Sequence, residues 1–338
     1  MEDYRLEIKP KYGLLDINWH ELRESKELLF FLAYKDIKVK YKQTVLGAAW
    51  AVLQPMFAMI IFTLLFGRLA KIPSDDIPYP IFSYAGLFFW IYFSTAMSQA
   101  STSLIDNSNL LSKVYIPRIF IPTVPCIAGL VDYVIAFLAF GVLVNVLPII
   151  DQNYSTLNVV ALIFFLALLL FATMYIPRLG LLTKAIESKR TLKSLTILSV
   201  LYVIFAPIII YFIHIRYIGL LFIPHVLIIG FLLASGVGYW LSSICVRYRD
   251  VRFILPFFVQ LLMFASPVVY SINNVSGLFK ILLYLNPVTG LVINHRACLT
   301  NQPLDYFGFS ISVILTLIIF ISGIVYLKQT DKHFADLV

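Results

Sequence analysis

The chain has 338 residues, 60% of them hydrophobic and 13% charged, with a mean hydropathy of +0.89. Soluble domains carry about 25% charged residues, so the composition excludes an ordinary globular enzyme and describes a protein that crosses a membrane several times. The net charge of +8 is then a question of which side holds the Lys and Arg residues, and it is no sign of nucleic-acid binding.

The first 42 residues are polar and begin Met1-Glu2-Asp3, without the basic region and short apolar stretch of a cleavable signal peptide. Asn18 and Glu21 have the spacing of a helix-capping pair. From there Phe30, Ala33, Tyr34, Ile37 and Tyr41 recur at helical steps and form one apolar stripe, with Lys35, Lys38 and Lys42 on its flank. The pattern predicts an interfacial amphipathic helix along the inner membrane surface, running into the first span at about Leu46-Gly47. A lipid-surface anchor and a docking surface for a cytoplasmic partner both fit it.

Windows long enough to span a bilayer, about 18 residues or more, occur at 43–67, 77–105, 119–150, 152–177, 194–215, 217–246, 253–279 and 306–327. All are uncharged except 119–150, which Asp132 interrupts. Eight spans put both termini on one side. With the N-terminus in the cytoplasm, 21 of the 26 Lys and Arg residues lie inside and five outside, which sets the orientation. Asp132 is the only acidic residue in these windows. Ion-coupled transporters carry several such groups, and one Asp near a cytoplasmic helix end reads as a satisfied structural residue.

Between spans two and three, Asp106 to Arg118 predicts a short cytoplasmic helix reaching Tyr115 and stopped by Pro117. Such a helix can pass force from a cytoplasmic motor. Arg178–Lys193 is a basic turn, expected on the same side. Arg247-Tyr248-Arg249-Asp250-Val251-Arg252 stands between two uncharged stretches. Burying it in lipid would cost several kcal/mol per charge, so Arg247, Arg249, Asp250 and Arg252 belong to a turn in water or headgroups.

After span seven, Ser266-Pro267 frees backbone carbonyls. Irregular backbone at membrane depth needs surrounding protein or a water-filled cavity. Gly277–Leu285 and Val288–Leu299 predict two short helices broken at Asn286-Pro287. Residues 271–300 are therefore expected to form a re-entrant hairpin at the outer mouth. Tyr270, Phe279 and Tyr284 are its candidate gate or sugar-contact residues, and sealing of a dimer is the plainer alternative. Cys126, Cys245 and Cys298 are scattered and read as small apolar fillers. No phosphate-binding loop, zinc-protease pair or nucleophile elbow occurs in the chain.

Four separated motifs carry a resemblance. Lys35 to Trp50 resembles the opening signature of bacterial polysaccharide-export ABC transporter permeases, the membrane subunits that export O-antigen, capsule or teichoic-acid chains. Asn109 to Pro122 is similar to that family's first cytoplasmic loop. Arg247–Asp250 with Ser266-Pro267-Val268-Val269-Tyr270, and Asn286-Pro287 followed by Arg296, resemble its C-terminal half. The likeness covers about 1–150 and 217–338. Members usually have six spans, so residues 152–216 are an inserted pair.

The resemblance implies an all-α polytopic membrane domain of the ABC-exporter type. It divides into a cytoplasmic arm (1–46), a transmembrane domain (47–330) and a cytoplasmic tail (331–338). It implies a homodimer in the bacterial cytoplasmic membrane that exports lipid-linked polysaccharide and binds membrane lipids but no nucleic acid. The chain itself holds no cofactor, and a separate ATP-binding subunit carries ATP and Mg. Lys35, Lys38, Lys42, Asn109, Leu110, Ser112, Lys113 and Tyr115 are the expected coupling contacts with that subunit, and Arg296 joins the outer gate. The 28 Phe, 20 Tyr and 4 Trp suit stacking against sugar rings, although interfacial belts also use Tyr and Trp. The other readings are a membrane-embedded transferase or polymerase for lipid-linked sugars, for which the outer loops offer the pair Asp75-Asp76 and the isolated Asp151, His214 and Asp305, and an ion-coupled flippase, which lacks its coupling residues.

Overall fold

The computed structural model describes residues 23–42, 49–146, 218–248 and 250–331. The Asn18–Glu21 cap, the two windows at 152–177 and 194–215, and the Arg178–Lys193 turn lie outside the described residues. The described chain is helical: α1 (Lys26–Lys42), α2 (Ala49–Phe62, continuing as a π-helical segment Thr63–Leu69), α3 (Tyr79–Asp106), α4 (Ser108–Leu111), α5 (Phe120–Val146), α6 (Ile218–Arg247), α7 (Val251–Phe264), α8 (Leu278–Tyr284), α9 (Pro287–Thr300) and α10 (Tyr306–Asp331).

Among the described residues five helices are long and apolar enough to cross a membrane: Ala49–Leu69, Tyr79–Asp106, Phe120–Val144, Gly219–Arg247 and Tyr306–Thr330. They match five of the expected windows. The window 253–279, expected as one span, is divided instead. Its helix, α7, has 14 residues, about 21 Å at 1.5 Å per residue, and cannot alone cross a core of about 30 Å. The physical reason is Pro267, whose ring and missing N–H end the helix. A helical turn at Ile272–Asn274 and α8 follow.

α3 is the hub. It packs on α2, α5, α6 and α9, while α6 also holds α10. Its apolar residues run all round it, as expected of a helix enclosed by others. Tyr84, Phe88, Phe89, Trp90, Tyr92 and Phe93 are buried. Phe88 meets Tyr133, Phe140 and His295 at ring-centroid distances of 5.1, 5.9 and 4.8 Å. Much of the aromatic content expected to suit a sugar path is thus core packing. Gly236 and Gly323 let α6 and α10 cross closely, since a Cβ on Gly236 would meet the Phe320 backbone at 2.7 Å.

The arm differs from expectation in the face it presents. Its protein side is Leu28, Leu29, Leu32 and Ala33, packed against Leu104, Ile116, Phe120, Val246 and Leu327. Of the expected stripe, Ala33 is buried and Ile37 and Tyr41 are half-buried, but Phe30 and Tyr34 are exposed. The stripe pointed about a quarter turn away from the side that the bundle covers.

Candidate functional site

The expected contact residues fall at two opposite ends of the bundle. The C-terminal ends of α3, α6 and α10 gather with the start of α5 and with α1. The shared apolar cluster of Leu32, Ala33, Leu104, Ile116, Val246 and Leu327 records that meeting. This is the arm end.

At the arm end Asn107 follows α3, its Nδ2 donating to the Ser103 carbonyl at 2.8 Å, and a single helical turn follows. The expected helix to Tyr115 stops early: α4 covers only Ser108–Leu111. The reason lies beyond the helix, where Pro117 forces an extended approach and Ile116 is buried as the anchor. Asn109, Ser112, Lys113 and Tyr115 are exposed, Tyr115 to 80%, while Leu110 packs inward against the cluster. Lys35, Lys38 and Lys42 are exposed on α1, with the Lys38 ammonium 5.9 Å from the Tyr34 ring centroid. Arg247, Asp250 and Arg252 are exposed at the neighbouring turn, and Arg252 lies over Phe253 at 4.8 Å. Arg249 is outside the described residues. The structure therefore brings the arm, the 106–118 loop and the basic turn to one surface.

Asp132 is paired. Lys40 donates to one carboxylate oxygen and forms a salt bridge there, and Tyr41 donates to the other. Asp132 is twelve residues past Phe120, in the body of α5 rather than at its end. Burial, and then the hydrogen bond and charge of Asp132, raise the Tyr41 phenol above its ordinary range.

The opposite end is an elbow. The backbone freed by Pro267 is claimed group by group. The Arg296 guanidinium donates to the carbonyls of Pro267 at 2.8 Å, Val268 at 2.7 Å and Phe82 at 3.2 Å. It also stands 3.6 Å from the Phe82 ring centroid. Asn286 caps α9 through Val288 N–H and donates to the Ala265 carbonyl and Ser266 Oγ. Tyr79 donates to the Val269 carbonyl at 2.7 Å, and Ser271 donates to the Asp75 carboxylate. Asp75 and Asp76 both have positive φ, a conformation that Asp tolerates better than most residues. Two motifs far apart in sequence, 266–270 and 286–296, are thus one assembly.

This corrects the expectation for Arg296. It is 6% exposed and its donors face carbonyls, so it is a tie inside the elbow rather than a surface open to sugar. A buried cation persists only when hydrogen-bonded in this way. Phe279 is 73% exposed on α8. Tyr270 is half-buried and donates to the Phe264 carbonyl at 3.3 Å. Tyr284 is half-buried, donates to Asp305 at 2.7 Å and meets Phe307 edge-on.

Sequence reasoning missed His295 and Tyr133. His295 Nδ1 is 2.9 Å from the Ala85 carbonyl, which can only accept, so Nδ1 carries the proton. Nε2 then accepts from the Tyr133 hydroxyl at 2.7 Å. A His beside Arg296 in an otherwise uncharged helix gave no signal of its partner 162 residues away.

Residues 189–299 match the family of ABC-2 type transporters. The O-antigen export system permease protein RfbA of Myxococcus xanthus is 24% identical over 280 residues, covering 82% of each chain. Two proteins of the same name from Klebsiella pneumoniae are 20% and 21% identical over 311 residues, covering 92% of this chain and 95% of theirs.

Proposed function

We infer that the chain is the membrane permease subunit of an ABC transporter that exports a polysaccharide of the O-antigen class. The observation that carries this is the likeness to O-antigen export permeases across 82–92% of the chain, together with the ABC-2 family match over 189–299. The sequence holds no phosphate-binding loop, so the energy comes from a separate subunit that carries ATP and Mg.

The finer assignments follow the two ends. The arm end faces the cytoplasm and docks the ATPase through Lys35, Lys38, Lys42, Asn109, Ser112, Lys113 and Tyr115, which are exposed. Leu110 is the root of the loop. Arg247, Asp250 and Arg252 meet headgroups. The elbow end faces outward in the bacterial cytoplasmic membrane, where 271–300 form a re-entrant hairpin, and Tyr270 just before it meets the emerging polymer together with Phe279 and Tyr284. Two copies form the transporter. The exposed Phe253, Phe257 and Phe258 of α7 and Phe57, Ile60 and Ile61 of α2 give each copy apolar surface to share.

The test is reconstitution. The purified chain alone is expected to show no ATP hydrolysis, and turnover to appear when the ATP-binding subunit of the same transporter is added. Deleting the chain removes surface polymer. Hydrolysis by a clean, partner-free preparation, or normal surface polymer after deletion, overturns the reading.

A further inference from the structure

A hollow of about 480 Å³ opens between α1, α2, α3 and α5. Lys40 and Tyr41 come from α1, Trp50 and Gln54 from α2, Tyr92 from α3 and Asp132 from α5. Its volume is in the range of small-molecule sites, roughly 300–1,000 Å³. None of the coupling or gate residues lines it.

Its depth follows from helix lengths. Ala49–Leu69 is 21 residues, about 31 Å at 1.5 Å per residue, which matches a hydrocarbon core of about 30 Å. The start of α2 therefore marks a leaflet boundary on the arm side. Trp50 and Gln54 lie in its first two turns, so the hollow sits at that boundary, where an amphiphile's polar and apolar parts meet. α3 is longer, 28 residues or about 42 Å, and carries the arm end beyond the boundary.

Its chemistry is divided in the same sense. One wall is apolar, with Phe88 and Ile91. The other holds the Lys40–Asp132 pair and the Tyr41 hydroxyl. A carboxylate has about four acceptor sites. Asp132 uses two of them on Lys40 and Tyr41, which leaves capacity for two more donors. Gln54 adds an amide that both donates and accepts. Trp50, 54% exposed, and Tyr41 offer ring faces. Sugar rings combine apolar C–H faces with hydroxyl donors, and aromatic faces beside a carboxylate and an amide answer both. A plain acyl chain would use the apolar wall and make no hydrogen bond to the polar one.

We propose that this hollow binds the sugar end of a glycolipid. The ring lies against Trp50 and Tyr41, its hydroxyls donate to Asp132 and Gln54, and the hydrocarbon runs along Phe88 and Ile91. The site rests on the polysaccharide-export reading for the identity of its natural glycolipid, which in that reading is the lipid-linked substrate before it is moved.

The test uses the full-length chain in nanodiscs, titrated with octyl glucoside below its micelle-forming concentration. The signal is the fluorescence of Trp50, isolated by difference from Trp50→Phe. The expected result is a saturable change, absent with 1-octanol and weakened about tenfold by Gln54→Leu, as for the loss of one or two hydrogen bonds. Gln54→Leu leaves the Lys40–Asp132–Tyr41 tie in place, so its effect is not displacement of the arm. Equal saturation by 1-octanol makes the hollow a lipid-chain slot and overturns the proposal, as does the absence of any saturable change. Neither outcome bears on export, which is judged by surface polymer after deletion. Loss of the export reading would leave glucoside binding measurable on the purified chain.

Discussion

The two ends of this bundle solve different problems with the same kinds of residue. At the elbow, Arg296 is buried and each freed carbonyl it meets is claimed. At the arm end, Lys35, Lys38, Arg247 and Arg252 are exposed. A cation inside must repay its desolvation with hydrogen bonds and so becomes structural. A cation outside is solvated, adds little to stability and is free to meet a partner. Charge at the elbow thus fixes shape, and charge at the arm end offers contact.

The comparison breaks most readily at Arg296. Arg296→Leu leaves the Pro267, Val268 and Phe82 carbonyls short of donors. It should cost about 3–5 kcal/mol, the range for breaking a buried charged network. In detergent this reads as a large fall in thermal midpoint and in monodisperse yield. A midpoint within a degree or two of the parent shows that the elbow does not depend on this tie.

Asn286→Ala is the intermediate case. It removes the cap of α9 and the donors to Ala265 and Ser266, and about 1–2 kcal/mol is expected from the cap alone. The same melt should place it between the parent and Arg296→Leu. An Asn286→Ala midpoint below that of Arg296→Leu reverses the ranking of the two ties.

The smallest effect on stability belongs to the arm end. Replacing Lys35, Lys38 and Lys42 together with Ala should shift stability by no more than about 0.5 kcal/mol per site, as for solvated surface positions. It should still lower ATP turnover by the assembled transporter. An unchanged turnover leaves those lysines as lipid anchors only.

How much of this was legible in the sequence follows from range. The five long helices were, because each carries its own apolar window, uncharged but for Asp132 in α5. The break at Asn286-Pro287 was too, since proline acts locally, whereas the window through Pro267 was expected to run on to 279 and is divided. The way the breaks are mended was not: Arg296 and Tyr79 reach carbonyls 28 and 190 residues away, and no local pattern encodes that. For the same reason an isolated Arg read as an exposed contact. The arm's helix was legible from its period, but its facing was not. With Phe30, Phe31 and Tyr34 on one side and Leu28, Leu29 and Leu32 on another, only the surface it docks on decides between them. Asp132 was rightly read as satisfied, yet its partners Lys40 and Tyr41 sit in another helix, and the hollow beside them exists only once four helices meet.

The central claim is that the arm end, and not the elbow end, takes the motor. Site-directed crosslinking in the assembled transporter tests it most directly, with one cysteine at Ser112 and another at Phe279, both exposed. The account predicts a crosslink to the ATP-binding subunit from Ser112→Cys and none from Phe279→Cys. A crosslink to that subunit from Phe279→Cys, with none from Ser112→Cys, would contradict it.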